Sequence, residues 1–282
     1  WSKNNGHIIK NSMRPLNPDL DSIPFPAYAR DSFYFIGSNQ IIQNDPTILE
    51  PILAIMPARG CPFMCTYCVN SLLRPKYKNL GRFNRRRSVP NVIAELKESL
   101  AIPGNQKKIV EFHDENFGID ESWLSEFEML YPKEIGLPFK VQYNPTLVKL
   151  STIGRLVKSG LHRAKFGIEA GTDQIRNQVF KRPGKNNQII KLAHEIAKYD
   201  VKIRYDLILD IPYDTEETLK ETIDLLLALP KPLHFNLYSL QYFPDYPLTQ
   251  KALSDGHIKE DEAQLDTLAP RLFRTWGFAP KL

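Results

Sequence analysis

Cysteine is scarce in this 282-residue chain: there are three, all confined to positions 61–68. A disulfide framework distributes an even number of cysteines along a short secreted chain, so this pattern excludes that class and favours reduced thiols. Long apolar runs are also absent. No stretch approaches the roughly 18–20 residues that a membrane-spanning helix needs. The first residues, Trp1-Ser2-Lys3-Asn4-Asn5-Gly6, have neither the apolar core nor the cleavage site of a signal peptide. Charge of one sign is not dominant either. The 37 Lys and Arg against 32 Asp and Glu leave a formal net charge of +5, too mild to indicate a nucleic-acid partner. There is no low-complexity tract, and 42% hydrophobic with 24% charged residues is ordinary globular composition. The expectation is a soluble, cytoplasmic protein with no membrane and no nucleic-acid partner. A starting Met is missing too, so a fragment of a longer protein is expected.

What is present centres on one stretch, Arg59-Gly60-Cys61-Pro62-Phe63-Met64-Cys65-Thr66-Tyr67-Cys68, with spacing C-x3-C-x2-C. Three thiolates this close can occupy three corners of a metal–sulfur site and leave one position for a ligand that is not protein. A structural zinc site needs four closed ligands. No second C-x2-C and no H-x3-H pair exists to complete one, so zinc would require a remote His or Asp.

The chain around this loop divides into three parts. Residues 1–50 are an extended lead-in punctuated by Pro15, Pro18, Pro24, Pro26 and Pro46, with Ile23–Tyr28 as a strap. Residues 51–245 are the core and 246–282 a C-terminal extension. In the core, Ile52–Met56 reads as a strand buried on both faces. Ser88 caps a helix to Leu100, Lys108–His113 is a strand, and Asp120 caps a helix carrying Trp123, Leu124, Phe127 and Leu130. Phe139–Tyr143, Ala164–Glu169, Lys202–Leu209 and His234–Leu240 are further strands. Helices are expected over 151–159, 173–180, 187–199 and, capped by Asp214 or Thr215, to Leu229. Long crossovers between strands imply one parallel sheet, either open and doubly wound or a full or partial barrel. Chemistry in such sheets gathers at the strands' C-terminal ends. Those ends carry Cys61–Cys68, Asp114-Glu115-Asn116, Asn144, Glu169, Asp210 and Tyr242. The one basic run, Arg82 with Arg85-Arg86-Arg87, reads as a solvated loop.

The cysteine spacing after a first strand, with Tyr67 before the last Cys, resembles the radical S-adenosylmethionine enzymes. The resemblance implies a partial (βα)6 barrel, an α/β fold. It further implies that Cys61, Cys65 and Cys68 hold a 4Fe–4S cluster whose open iron is chelated by S-adenosylmethionine. Reductive cleavage then yields methionine and a 5′-deoxyadenosyl radical, with the cofactors carrying the chemistry. An electron donor such as flavodoxin or ferredoxin is implied as partner. Tyr67 is assigned to the cofactor site by the same motif. Where many members have Gly-Gly-Glu, this chain has His113-Asp114-Glu115-Asn116, so Asp114 and Glu115 are both candidates for the cofactor's amine. Gly167-Ile168-Glu169-Ala170-Gly171 resembles the fourth-strand element whose Glu faces the cofactor, and Arg182 matches a basic residue near its carboxylate. Asp206-Leu207-Ile208-Leu209-Asp210-Ile211-Pro212 resembles the adenine-lining D-x-I-x-G-x-P element, with Asp210 replacing the Gly. Asn144 completes the rim.

The motif Arg-Gly-Cys-Pro-Phe-x-Cys-x-Tyr-Cys, the lead-in Asp19–Pro26 and Phe112-His113-Asp114-Glu115-Asn116-Phe117 resemble the cobalamin-dependent branch. Many of its members methylate unactivated carbons or phosphorus, and others rearrange rings. Only 60 residues precede Cys61 and no D-x-H-x-x-G signature occurs, so cobalamin is expected on a domain outside this chain. A radical methylthiotransferase acting on tRNA is the runner-up, although such enzymes carry extra cysteines. A non-catalytic iron–sulfur carrier or a zinc-bound module is the alternative from another class. The substrate, a small molecule or a peptide, is not named by any motif. Asp245, Tyr246 and Phe273–Phe278 are expected to shape or cover the open side.

Overall fold

The computed structural model describes residues 2–4, 6–27, 33–37, 39–43, 47 and 50–260, and its frame is one six-stranded parallel sheet. The lead-in holds two small antiparallel hairpins, β1 (Ser2–Asn4) with β2 (His7–Ile9) and β3 (Tyr34–Gly37) with β4 (Gln40–Gln43). The core begins with β5 (Ile52–Ile55), β6 (Ala58–Arg59), α1 (Asn70–Lys76), β7 (Arg85–Arg86) and α2 (Val89–Leu100). It continues through β8 (Ile109–Phe112), α3 (Glu121–Glu134), β9 (Phe139–Tyr143), α4 (Leu150–Lys158) and β10 (Leu161–Glu169). A π turn, Ile175–Val179, leads to α5 (Asn186–Ile196), β11 (Lys202–Leu209), α6 (Glu216–Ala228), β12 (Phe235–Ser239) and α7 (Pro247–Ser254).

The sheet order is β12-β11-β10-β9-β8-β5, with every neighbouring pair parallel. Spatial order follows chain order without reversal. A doubly wound sheet reverses at a switch point. Without that reversal the right-handed crossovers lay every helix on the same face, and the sheet curls into a half-barrel. Each strand end is supported by local chemistry. Ser88 Oγ accepts from Asn91 N at 3.2 Å to start α2, and Asp120 Oδ1 accepts from Ser122 N and Trp123 N at 3.0 and 3.1 Å to start α3. Thr215 caps α6, and Gly160 at φ 109° follows α4.

The convex face and the helices share the core. Phe112, Phe117, Phe127, Tyr131 and Phe139 form a nest of rings, with Phe112–Phe117 and Phe127–Tyr131 centroids 4.7 Å apart. Burying such a side chain contributes about 1.5–3 kcal/mol. Strand faces therefore alternate: in β9, Phe139, Val141 and Tyr143 are buried while Lys140 and Gln142 face the concave side. That corrects the expectation that Ile52–Met56 is buried on both faces. Leu53 and Ile55 are buried, but Ala54 and Met56 are exposed, because the second face borders an open lumen and not another helix layer.

The lead-in folds onto the arginine run. Leu16 N donates to Leu80 O at 2.6 Å, Arg85 Nη1 to Asn17 O at 2.8 Å, and Ser88 N to Asp21 Oδ1 at 3.0 Å. The run is not a solvated loop. Arg85 and Arg86 pair as β7 with β6, Arg86 binds Asp114 at 2.8 Å, and Arg87 binds Glu95. Their partners lie on other elements, out of reach of local charge patterning. Arg82 alone of the four is exposed, as expected. Beyond α7, residues 261–282, including Phe273–Phe278, lie outside the described residues.

Candidate functional site

Because all six strands run the same way, their C-terminal ends share one mouth, and the cysteine loop crosses it. The loop starts at Gly60, whose φ of 86° suits glycine and where a Cβ would meet Phe83 O at 2.5 Å. Arg74 Nη1 donates to Pro62 O at 2.5 Å, and Cys68 N to Cys65 O at 3.0 Å. Two remote elements hold the middle. Thr66 N donates to Phe180 O at 2.9 Å and Thr66 Oγ1 to Val179 O at 2.8 Å, while Leu248 N of α7 donates to Thr66 O at 3.1 Å.

Each thiol receives one side-chain N–H from a different part of the chain. Asn116 Nδ2 points at Cys61 Sγ (3.5 Å), Arg182 Nη1 at Cys65 Sγ (3.9 Å) and Asn70 Nδ2 at Cys68 Sγ (3.6 Å). Burial pushes the Cys61 thiol up to about 11 and raises Cys65 and Cys68 as well. Buried thiols so raised are neutral at pH 7 unless a cationic centre draws off the proton, as a coordinated metal does. Three convergent N–H donors suit the charged sulfurs that such a centre leaves behind. The donor set therefore fits a thiolate-held iron–sulfur cluster. Among the described residues no three His, Cys, Asp or Glu side chains are gathered as ligands of one ion, which a closed zinc site would need.

The predicted carboxylates separate by role. Asp114 is buried, accepting from Ala58 N at 2.7 Å and pairing with Arg86; burial still raises its carboxyl against that pull. Glu115 is exposed, and after burial its charge helps push Cys61 and Cys68 upward, so it lies within electrostatic reach of both thiols. Glu169 ends β10 at φ 66°, and burial raises its carboxyl although the Arg182 guanidinium opposes this. Arg182 Nη2 lies 3.8 Å from Glu169 Oε1 and 2.8 Å from Gly167 O. Burial lowers Arg182, but Tyr67, Glu169 and Cys65 together outweigh it and hold the guanidinium above its ordinary range. The Tyr67 ring packs edge-on against Phe180 at 4.7 Å, and burial raises its phenol.

Asn144 reaches the rim, but its side chain is engaged within the protein: Oδ1 accepts from Thr146 N and Oγ1, and Nδ2 donates to Pro183 O at 3.5 Å. Asp210 takes φ 60°, the conformation that the motif's glycine would supply, and accepts from Ser239 Oγ at 2.5 Å. Cysteine loop, Glu115, Tyr67, Glu169 and Arg182 are thus brought together, with Asp114 and Asn144 behind them and Asp210 on the β11 side.

Sequence reading passed over three residues. Asn116 binds Cys61 and also accepts Asn144 N at 2.6 Å; it was visible only as the tail of an acidic cluster. Asn70 follows the last cysteine by two. Arg176, buried in the π turn, donates to Ile168 O (3.2 Å), Ala170 O (2.5 Å) and Asn186 Oδ1 (2.8 Å), and so ties the end of β10 to the segment carrying Thr66's acceptors. Nothing in its local sequence marks it.

A parallel half-barrel of sequential βα units with three thiols across its C-terminal mouth defines the class. The family model of the Radical SAM superfamily matches residues 55–226, and the chain belongs to that superfamily. It is 25% identical over 209 residues to the cytidylyl-2-hydroxyethylphosphonate methyltransferase of Streptomyces wedmorensis, covering 67% of this chain and 37% of that protein. It is 25% identical over 226 residues to an uncharacterized methyltransferase of Pyrococcus horikoshii, covering 78% and 44%. Among solved structures, the radical S-adenosylmethionine methyltransferase TsrM of Kitasatospora setae superposes with TM-score 0.60 at 18% identity, over 74% of this chain and 40% of that one. The cobalamin-dependent radical enzyme OxsB superposes with TM-score 0.61 at 15% identity, over 82% and 42%, and shows the same fold. The chain thus spans less than half the length of each. Membership of the superfamily does not set a substrate reaction for this chain.

Proposed function

We propose that this chain is the radical core of a cobalamin-dependent methyltransferase whose cobalamin is bound by a domain outside residues 1–282. The observation that carries the reading is the trio of thiols, each met by one N–H donor, at the mouth where Glu115 and Arg182 flank them. Cys61, Cys65 and Cys68 hold the 4Fe–4S cluster. When bound, the cluster and S-adenosylmethionine supply one-electron cleavage to a 5′-deoxyadenosyl radical, with cobalamin as methyl carrier.

The chain's own side chains bind and orient. Glu115, exposed within electrostatic reach of the thiols, takes the cofactor's amine. Arg182 offers a fork suited to a carboxylate, kept in place by Gly167 O and Glu169. Tyr67, Glu169 and Asp210 line the rest of the cofactor. Asp114 and Asn144 act from behind, the first by anchoring Ala58 and Arg86, the second by holding the turn at Thr146. The methyltransferase assignment draws support from the relatives that carry that name. An electron donor of the flavodoxin or ferredoxin type would serve the cluster, and a reducing cytosol suits its ligands. Among the described residues no helix is long and apolar enough to cross a membrane.

Anaerobic reconstitution with iron and sulfide tests the core. A brown protein with about four irons per chain is expected, losing its colour in Cys65→Ala and binding S-adenosylmethionine less tightly in Glu115→Gln. A colourless protein that retains zinc would overturn the reading. The methyltransferase half stands or falls separately, on whether the full-length protein binds cobalamin.

A further inference from the structure

The concave wall of the half-barrel, deeper than the cofactor mouth, carries charge that the radical chemistry does not use. Strand register sorts its inward side chains into rows. One row runs Glu111, Lys140, Arg163, Lys202 across β8, β9, β10 and β11. The row nearer the mouth runs Gln142, Lys165, Arg204, with His234 just before β12 beside Arg204. These residues line a cavity of about 380 Å³, which His113 also borders, a volume within the usual ligand-pocket range of about 300–1,000 Å³.

The acids present neutralise only part of this wall. Glu111 pairs with Lys140 at 3.0 Å, and Asp206, one row further up, pairs with Lys165 at 3.2 Å. Among the described residues Arg163, Lys202 and Arg204 have no acidic partner within 4.0 Å. Arg163 stands directly beside Lys202 in the ladder. All three side chains are exposed to the solvent of the lumen, and like charges in directly paired positions still destabilise a sheet. A sheet face that retains such a cluster departs from ordinary charge placement, as binding sites do.

We propose that the basic wall of this lumen, Arg163, Lys202 and Arg204, is an anion anchor that holds a polyanionic end of the substrate, phosphoryl or polycarboxylate. Two guanidinium forks suit the paired oxygens of either group. From Arg163 to Glu169 the strand rises six residues, about 20 Å at ~3.3 Å each. The anionic end is therefore anchored deep, and the reacting part of an elongated substrate extends toward the mouth. The proposal rests on the mouth being the radical site, but anion binding is measurable without turnover.

Isothermal titration with inorganic pyrophosphate and with citrate, on the chain with and without reconstituted iron, keeps the two readings apart. Saturable binding of about one probe per chain is expected whether or not iron is present. The affinity should fall at least tenfold in the double variant R163Q/R204Q and stay unchanged in K220Q, which alters an exposed Lys on α6. The charge-preserving R163K/R204K should fold like the parent and lose less than the Gln pair. Relief of like-charge repulsion should leave R163Q/R204Q melting no earlier than the parent without ligand. Tighter pyrophosphate than citrate would mark a phosphoryl-bearing substrate, and the reverse order a polycarboxylate. Absence of saturable binding by both probes overturns the proposal. So does binding undiminished in R163Q/R204Q, or equal loss in K220Q.

Discussion

At the scale of single residues, the candidate site depends on side chains whose two ends do different work. Asn116 donates to Cys61 and accepts from the backbone N–H of Asn144. Asn116→Ala leaves that buried N–H without its acceptor, which costs about 1–3 kcal/mol. The same change removes a donor from Cys61 Sγ, a proposed cluster ligand, and hydrogen bonds to ligand sulfur help set cluster potential. A lower urea midpoint and a more negative reduction potential of the reconstituted cluster are expected, the second read by redox titration. Gly167 gives a contrasting case. A Cβ there would overlap Glu169 Oε1 and the Arg182 guanidinium, both the far ends of flexible side chains. Gly167→Ala should therefore move the urea midpoint little while weakening S-adenosylmethionine binding, measured by equilibrium dialysis. A large stability loss with unchanged affinity would assign Gly167 to packing alone.

Between residues and the whole fold stands the π turn, Ile175–Val179. Its neighbouring carbonyls at Val179 and Phe180 hold Thr66, and thereby the cysteine loop. The turn is in turn wired to β10 and α5 through Arg176, which gives its charge to Asp173 and its remaining donors to backbone and Asn186. Arg176→Ala leaves the buried acceptors at Ile168, Ala170 and Asn186 without their donor, and an orphaned buried acceptor costs about 1–3 kcal/mol. Loss of stability should be accompanied by loss of iron from the reconstituted protein, because the loop's remote anchor shifts. Iron content by colorimetric assay, compared with Arg155→Ala on the distant α3–α4 surface, separates the anchor's effect from general destabilisation. Equal iron loss in both would remove the special role given to the turn.

For the molecule as a whole, the helix-side core has buried members on β5, β8, β9, β10 and β11, with the half-buried Phe235 of β12 packed against them, and the site sits at its edge. Phe127 touches Phe112, Phe117, Tyr131 and Phe139, joining α3 to β8 and β9. Phe127→Ala should cost about 3–5 kcal/mol by the lost burial and the cavity left behind. One cooperative urea transition at a lower midpoint is expected, with the reconstituted site lost in the same transition. A site that melts earlier than the sheet would show that the loop is stabilised apart from the core.

Much of this was readable along the chain. Local periodicity, caps and breakers located the six sheet strands and helices α2 to α6 within a few residues, since Ser88, Asp120, Thr215 and Gly160 act on neighbours in sequence, whereas α1, α7 and the small hairpins went unread. Clustered cysteines marked the loop proposed to hold the metal, because loop residues a few positions apart are close in any fold. Relations across the chain were beyond such reasoning. The cysteine loop's restraint by Val179 and Phe180, the division of labour between Asp114 and Glu115, and the capture of Arg85–Arg87 by acids and lead-in all join residues far apart in sequence. The basic rows of the lumen are of the same kind. Sequence by itself determined which segments become the sheet strands and which loop gathers the three thiols, through short-range sterics and hydrogen bonding. Strand register and the curl of the sheet decided which charged side chains share one cavity, because only tertiary packing sets residues from β8 to β11 side by side.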